Sequence, residues 1–148
     1  MSSVHYLHLP PKTDPPVLGT EDPFSAVLVV EADVSWAWRA QVSRWLVDSG
    51  CLFMMAWGKE CSLWDESVDY ANLDDFPDGE IPEHRWVYTT WHDDEPKEQV
   101  FWFAQHTATH PHANLKKIML IDISKYDRGA ALLKEFELAR DLAEREAN

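Results

Sequence analysis

Residues 51–71 read CLFMMAWGKECSLWDESVDYA, and the parsing of this stretch decides the fold. From Cys51 to Trp57 every residue is apolar with no alternation, the pattern of a strand covered on both faces in a parallel sheet. Gly58 ends the run, and from about residue 63 to 73 the apolar spacing becomes helical. Ser62, with Asp65 three residues on, fits a helix N-cap. The unit is a strand, a turn and a helix, and the turn carries Cys61 just ahead of the expected cap.

The same unit recurs on either side. FSAVLVV at 24–30 is a second buried strand, followed by a capping Ser35, a helical stripe of Trp38, Val42, Trp45 and Leu46, and a stop at Gly50. After an acidic loop, DDFPDGEIPEH at 74–84, a third strand is expected at 85–91. Its mixed composition places it nearer a sheet edge. Pro96 then opens a helix whose stripe is Val100, Phe101, Phe103, Ala104 and Ala108, with Pro111 closing it. A fourth strand, 117–124, leads to a terminal helix with Ala130, Leu133, Phe136, Leu138 and Leu142 on one face. Residues 1–23 hold five prolines and are expected to lie extended, with an alternation over 4–9 that suits an edge strand. The expected organisation is this Pro-rich segment followed by one domain over 24–148. Its class is α/β, a three-layer sandwich with a mainly parallel sheet of about four strands and helices on both faces.

The formal charge of −13 disfavours nucleic acid and anionic membranes, which are bound by Lys and Arg. It suits a basic protein partner. No apolar run is long enough to cross a membrane and no signal peptide opens the chain, so a cytoplasmic protein is expected, with Cys51 and Cys61 as reduced thiols. Eight tryptophans, at 36, 38, 45, 57, 64, 86, 91 and 102, are too many beside charged and turn residues to be all core, which points to recognition.

In open parallel sheets ligands bind beyond the carboxyl ends of the strands. The residues there are Glu31 and Asp33, then Trp57, Gly58 and Cys61 with Trp64 in the following helix, then Trp91, His92 and Asp93, then Asp122. Three chemistries compete. Cys61 at a helix mouth with His92 as base and Asp93 or Asp122 as orienter would be a nucleophilic thiol site, although Glu60 and Asp65 would raise the thiol. Glu31, Asp33, Asp93 and Asp122 could hold magnesium, although acids in such loops more often cap helices. His106, His110 and His112 offer zinc spacing, although histidines also gather at helix C-termini for the dipole, and no further ligands accompany them. No GxGxxG or GxxxxGK[ST] is present, so dinucleotide and P-loop nucleotide binding have no support, and the cofactor is left unknown. His92, read as a loop residue outside the core, should be replaceable by alanine without loss of fold.

The opening VLVVEADVSWAWRAQVSRWLVDSG resembles the start of a response-regulator receiver, but the third strand ends in Thr90, Trp91 and His92 where a receiver needs its phosphorylated Asp. The stretches WLVDSGCLFMMAWGKECSLWDESVDYANL, TTWHDDEP and VFWFAQHTATHP resemble a family of small bacterial proteins carried as a domain of unknown function, from about residue 27 to 123. That resemblance implies a bacterial cytoplasmic protein and assigns no catalytic residue. The reading is of a non-enzymatic acidic binding protein that engages a protein partner through the strand-end rim of Glu31, Asp33, Trp57, Gly58, Trp64, Trp91 and Asp93. The alternative is a small hydrolase or transferase using Cys61, His92 and Asp122, with or without a divalent cation.

Overall fold

The computed structural model describes residues 2–18 and 22–142. It contains β1 (Ser3–His8), β2 (Phe24–Val30), α1 (Trp36–Asp48), β3 (Cys51–Gly58), α2 (Cys61–Asp74), β4 (Tyr88–His92), α3 (Lys97–His106), β5 (Lys117–Ile123) and α4 (Gly129–Ala139). One turn of 3-10 helix, Glu83–Arg85, precedes β4. The strands form one sheet in the order β1-β5-β2-β3-β4, and every pairing is parallel. The alternation over 4–9 becomes β1, which makes the fifth strand, and β4 takes the other edge.

The sequence of the connections explains which helix covers which face. β2, β3 and β4 advance in one direction, so their right-handed crossovers put α1 and α2 on the same face. The chain then returns past β2 to β5, which reverses the direction and puts α3 and α4 on the opposite face. Each central strand divides its side chains between the two layers. Ala26, Leu28, Met54, Ala56, Met119 and Ile121 pack with Trp38, Val42, Leu46, Trp64 and Val68. Val27, Val29, Phe53, Met55, Ile118 and Leu120 pack with Val100, Phe101, Leu132 and Phe136. All seven residues of β2 are buried, as its unbroken apolar run requires.

Local signals are mostly as expected. Ser35 caps α1, its Oγ accepting from Trp38 N at 3.1 Å, and Gly50 follows the helix at φ +102. Three boundaries and one helix stripe differ. α2 begins at Cys61, so Ser62 lies inside it and the cap position falls to Glu60, held in the left-handed region at φ +53 with no side-chain cap bond. The turn closes there because Lys59 N donates to Val30 O at 2.8 Å, which bends the chain before Ser62 is reached. β4 starts three residues later than expected, since Glu83–Arg85 coils and Asn72 takes the backbone of Arg85 and Val87. α3 ends at His106, where Thr107 N and Ala108 N both turn back to Phe103 O. In α4 the buried residues are Leu132, Phe136 and Ala139, whereas Leu138 is exposed, so the core-facing stripe is rotated from the one expected.

The Pro-rich segment is tied to α1 through tryptophan. Trp38 Nε1 donates to Thr13 O at 2.8 Å and Trp45 Nε1 to Pro16 O at 2.7 Å. Part of the tryptophan load is therefore structural. No helix among the described residues is long and apolar enough to cross a membrane.

Candidate functional site

The strand-end residues do not meet at one point, and the pairing register says why. Asp122 pairs with Val29, Val29 with Trp57, and Trp57 with His92, so these four form one row across the sheet. Asp122 and His92 are three strand spacings apart along that row, about 14 Å at the usual interval. Cys61 differs in another way. Its side chain belongs to the α1/α2 layer, whereas His92 lies against Phe103 of α3 on the other face, ring centroids 5.3 Å apart. The Cys61 thiol thus meets His92 only at its backbone, with the imidazole on the opposite face, and Asp122 stands apart from both.

Each member of the expected thiol site has a structural occupation. His92 is the last residue of β4 and is buried, not a free loop histidine. Its Nδ1 is 2.7 Å from Glu95 Oε2 and its Nε2 2.8 Å from Thr90 Oγ1, so both ring nitrogens are engaged and neither reaches the thiol. Burial, then the charge of Asp93, pushes the Cys61 thiol up, and the backbone at His92, Cys61 and Ser62 offsets this only in part. Cys51 is wholly buried and its thiol is pushed up to about 12 by desolvation. We expect both thiols of the folded protein to react with iodoacetamide at pH 7 more slowly than a free model thiol, and at the model rate once urea unfolds the chain. A fast-reacting Cys61 in the native protein would reinstate the nucleophile.

Asp122 sits in the crevice where the strand order reverses, between the carboxyl ends of β2 and β5. It is fully buried, accepting from Tyr6 Oη at 2.7 Å and from Arg128 Nη2 at 2.6 Å. Arg128 also pairs with Glu31 across the crevice, and its backbone N donates to Tyr6 Oη at 3.1 Å. Burial alone would raise the Asp122 carboxyl, but the bonds from Arg128, Ser124 and Tyr6 outweigh it and hold the group below the usual carboxylate range. Burial, then the bond to Asp122, pushes the Tyr6 phenol up, so it stays a donor. The switch-point crevice is thus filled by an internal ion network that joins β1, β2, β5 and the start of α4. Tyr6 and Arg128 were not among the expected site residues. Tyr6 was obscured by the Pro-rich segment, and Arg128 lies six residues past Asp122, the last of the strand-end residues.

The acids expected to gather round a cation are dispersed. Glu31 and Asp122 share Arg128, Asp33 is 3.6 Å from Lys59 Nζ, and Asp93 lies near Cys61. Among the described residues no three His, Cys, Asp or Glu side chains are grouped to hold a metal. The histidines likewise divide: His106 Nε2 is 2.7 Å from Arg140 O, His110 Nε2 2.8 Å from Trp86 O and His112 Nε2 2.6 Å from Glu83 Oε2. Because α3 stops at His106, His106 and His110 are not one turn apart on a helix.

Seven of the eight tryptophans sort into two kinds, and the eighth, Trp102, is half-buried with its ring centroid 4.9 Å from that of His106. Trp64 is fully buried, and Trp38, Trp45 and Trp57 each donate an indole N–H to a backbone carbonyl. Trp36, Trp86 and Trp91 are exposed, Trp36 most of all at 76%. Trp36 stands at the rim end of α1, where it opens a groove of about 550 Å³ between α1 and α2, lined also by Ala40, Leu63, Glu66, Tyr70 and Asp74. Leu63 and Tyr70 are exposed as well. The groove's two arginines are already neutralised, Arg39 by Glu60 at 3.2 Å and Arg44 by Asp48 and Asp75 at 2.8 Å each. Glu66 and Asp74 pair with no cation among the described residues.

The model of a domain of unknown function, DUF7684, matches residues 4–139, from β1 to the end of α4. The chain belongs to this family. No curated protein and no solved structure matches the chain. The family domain therefore takes in the edge strand β1 and the whole Tyr6–Asp122–Arg128 network.

Proposed function

We propose that this domain is a non-enzymatic binding module that takes a basic amphipathic helix of a protein partner into the α1–α2 groove. The observation that carries the reading is Trp36, a large aromatic three-quarters exposed at the mouth of an apolar groove whose free charges are acidic. Burying such a side chain is favourable, and aromatic anchors in grooves carry most of the energy of helix recognition. The occupant's charge follows from the lining. With Arg39 and Arg44 already paired, Glu66 and Asp74 are left to meet Lys or Arg, in a molecule of net charge −13. The same net charge disfavours a phosphate backbone or an anionic membrane as the partner. The cytoplasm is the proposed setting, supported by two buried cysteines that remain unpaired.

A synthetic helical peptide with a leucine stripe and a lysine face is the probe, followed by its fluorescence anisotropy. Trp36→Ala should weaken binding about 30-fold, the usual effect of losing an aromatic anchor of about 2 kcal/mol. The melting temperature should hardly change, since an exposed first-turn residue packs little. A peptide with a glutamate face should not bind. Equal affinity of the wild type and Trp36→Ala for the lysine peptide would remove the groove as the site.

A further inference from the structure

The opposite side of α2 carries a different feature. Among the described residues β4 is paired with β3 alone, so alternate residues of Tyr88–His92 turn their backbone N–H and C=O away from the sheet. Among the described residues no backbone group outside the sheet bonds to them, and the Cys61 thiol lies against the backbone of His92 at the strand's end. Natural sheet edges are normally blunted by Pro, Lys, a bulge or a covering segment. The sequence YTTWH contains no Pro or Lys, and its pairing with β3 runs without a bulge. Half-exposed aromatics stand on both sides of this edge, Trp91 at 50% on the α2 side and Tyr88 at 38% on the α3 side.

Carboxylates flank the edge on the α2 side. Thr89 Oγ1 donates to Asp69 Oδ1 at 2.8 Å, and Asp65 lies one helical turn from Asp69. Helix and strand run antiparallel, and four helical residues rise about 6 Å while two strand residues rise about 6.6 Å. Both carboxylates turn to Thr89, since Asp65 is also within hydrogen-bonding reach of Thr89 and of Asp69, while the first turn of α2 lies toward the Trp91 end of the strand. Burial, then the charge of Asp69, pushes the Asp65 carboxyl up, and the bond from Thr89 offsets this only in part. No Lys or Arg is paired with Asp65, Asp69 or Asp93 among the described residues.

We propose that the free edge of β4 is a second docking element, at which an extended basic segment of a protein partner adds as a sixth strand. Main-chain bonds to β4 supply the pairing, and side chains two apart on the added strand supply the selectivity. On the α2 side, one Lys or Arg lies beside Thr89 and meets the Asp65–Asp69 pair, and the next lies over the ring of Trp91. The alternate residues face Tyr88 and Thr90, where Val, Ile or Thr pack. Charge also argues against a second copy of this chain as the occupant, because edge-to-edge pairing would bring the same carboxylates together. The other edge of the sheet, β1, begins beside Lys116 and Lys117, has no acidic residue in its own strand, and so lacks this complement.

The test uses the whole chain and an eight-residue peptide alternating lysine with valine. Two further peptides carry N-methyl groups on the odd or the even residues, so that one of them loses the amides that face β4. The expected result is binding, with slowed hydrogen exchange at alternate amides of Tyr88–His92. One N-methylated peptide should lose at least tenfold in affinity and the other should bind normally. Trp91→Ala, and separately Asp65→Asn with Asp69→Asn, should each weaken the lysine–valine peptide at least fivefold, and an alternating glutamate–valine peptide should not bind. Failure of the lysine–valine peptide to bind, or equal binding of the two N-methylated peptides with unchanged exchange in β4, would overturn strand addition. Trp36→Ala should leave this peptide's affinity unchanged, so the groove and the edge stand or fall separately.

Discussion

Replacing Gly58 with alanine should destabilise the domain by more than about 4 kcal/mol, enough to leave a protein of ordinary stability largely unfolded in mild urea. Gly58 ends β3 at φ +104, where an L side chain is strained. A Cβ there would lie 2.1 Å from Val30 O and 3.0 Å from Val30 C. Neither atom can yield cheaply, since Val30 is the register partner of Gly58 and its carbonyl also accepts from Lys59 N at 2.8 Å. The glycine is required by the close approach of two strands, not by a ligand pocket. Gly79→Ala is the control: φ is +78 but nothing lies within 4 Å, so only the backbone cost of about 1 kcal/mol applies. Urea denaturation followed by circular dichroism measures both, and indistinguishable midpoints would show that the β2–β3 turn is far more yielding than its geometry implies.

Arg128→Met should cost about 3 kcal/mol at pH 7, because it keeps the aliphatic stem and strands the buried Asp122 charge with its remaining neutral donors. The pH dependence is the more diagnostic part. In the native protein the Asp122 carboxyl is held below its ordinary value, so folding favours the ionised form. The stability this contributes is present above the unfolded value, about pH 4, and is lost as pH falls through the lower folded value. In the variant the guanidinium is absent and burial dominates, so that acid-side loss should vanish. The gap between the two proteins should therefore be widest near pH 7 and close as pH falls below about 4. A gap independent of pH would mean that Arg128 contributes packing alone.

The network behind that prediction also marks what reading along the chain misses. Asp122 was recognisable as an acid at a strand end, yet its partners Tyr6 and Arg128 lie 116 residues before it and 6 after it. Strand order brings β1 beside β5, and the residues of a single strand do not encode order. The same holds for Cys61 and His92. Each follows its own strand as expected, but period-two alternation sends the His92 ring to the α3 face while the cysteine opens α2 on the other. Trp36 and Trp38 illustrate the converse at short range. Two residues apart on a helix, they point about 200° apart, so one is buried and tied to Thr13 while the other stands in solvent.

By itself the sequence determined the four strand-and-helix units, the parallel sheet, the edge position of the mixed strand at β4 and the turn at Gly58. These follow from local periodicity and from connections long enough to cross back over the sheet, which are properties of contiguous residues. Only the tertiary structure decided that the switch point lies between β2 and β5, that Arg128 closes it, that Cys61 and His92 occupy opposite faces, and that α2 is flanked by an apolar groove on one side and an unpaired acidic edge on the other. Those are relations between segments distant in the chain, set by the packing of one layer against another.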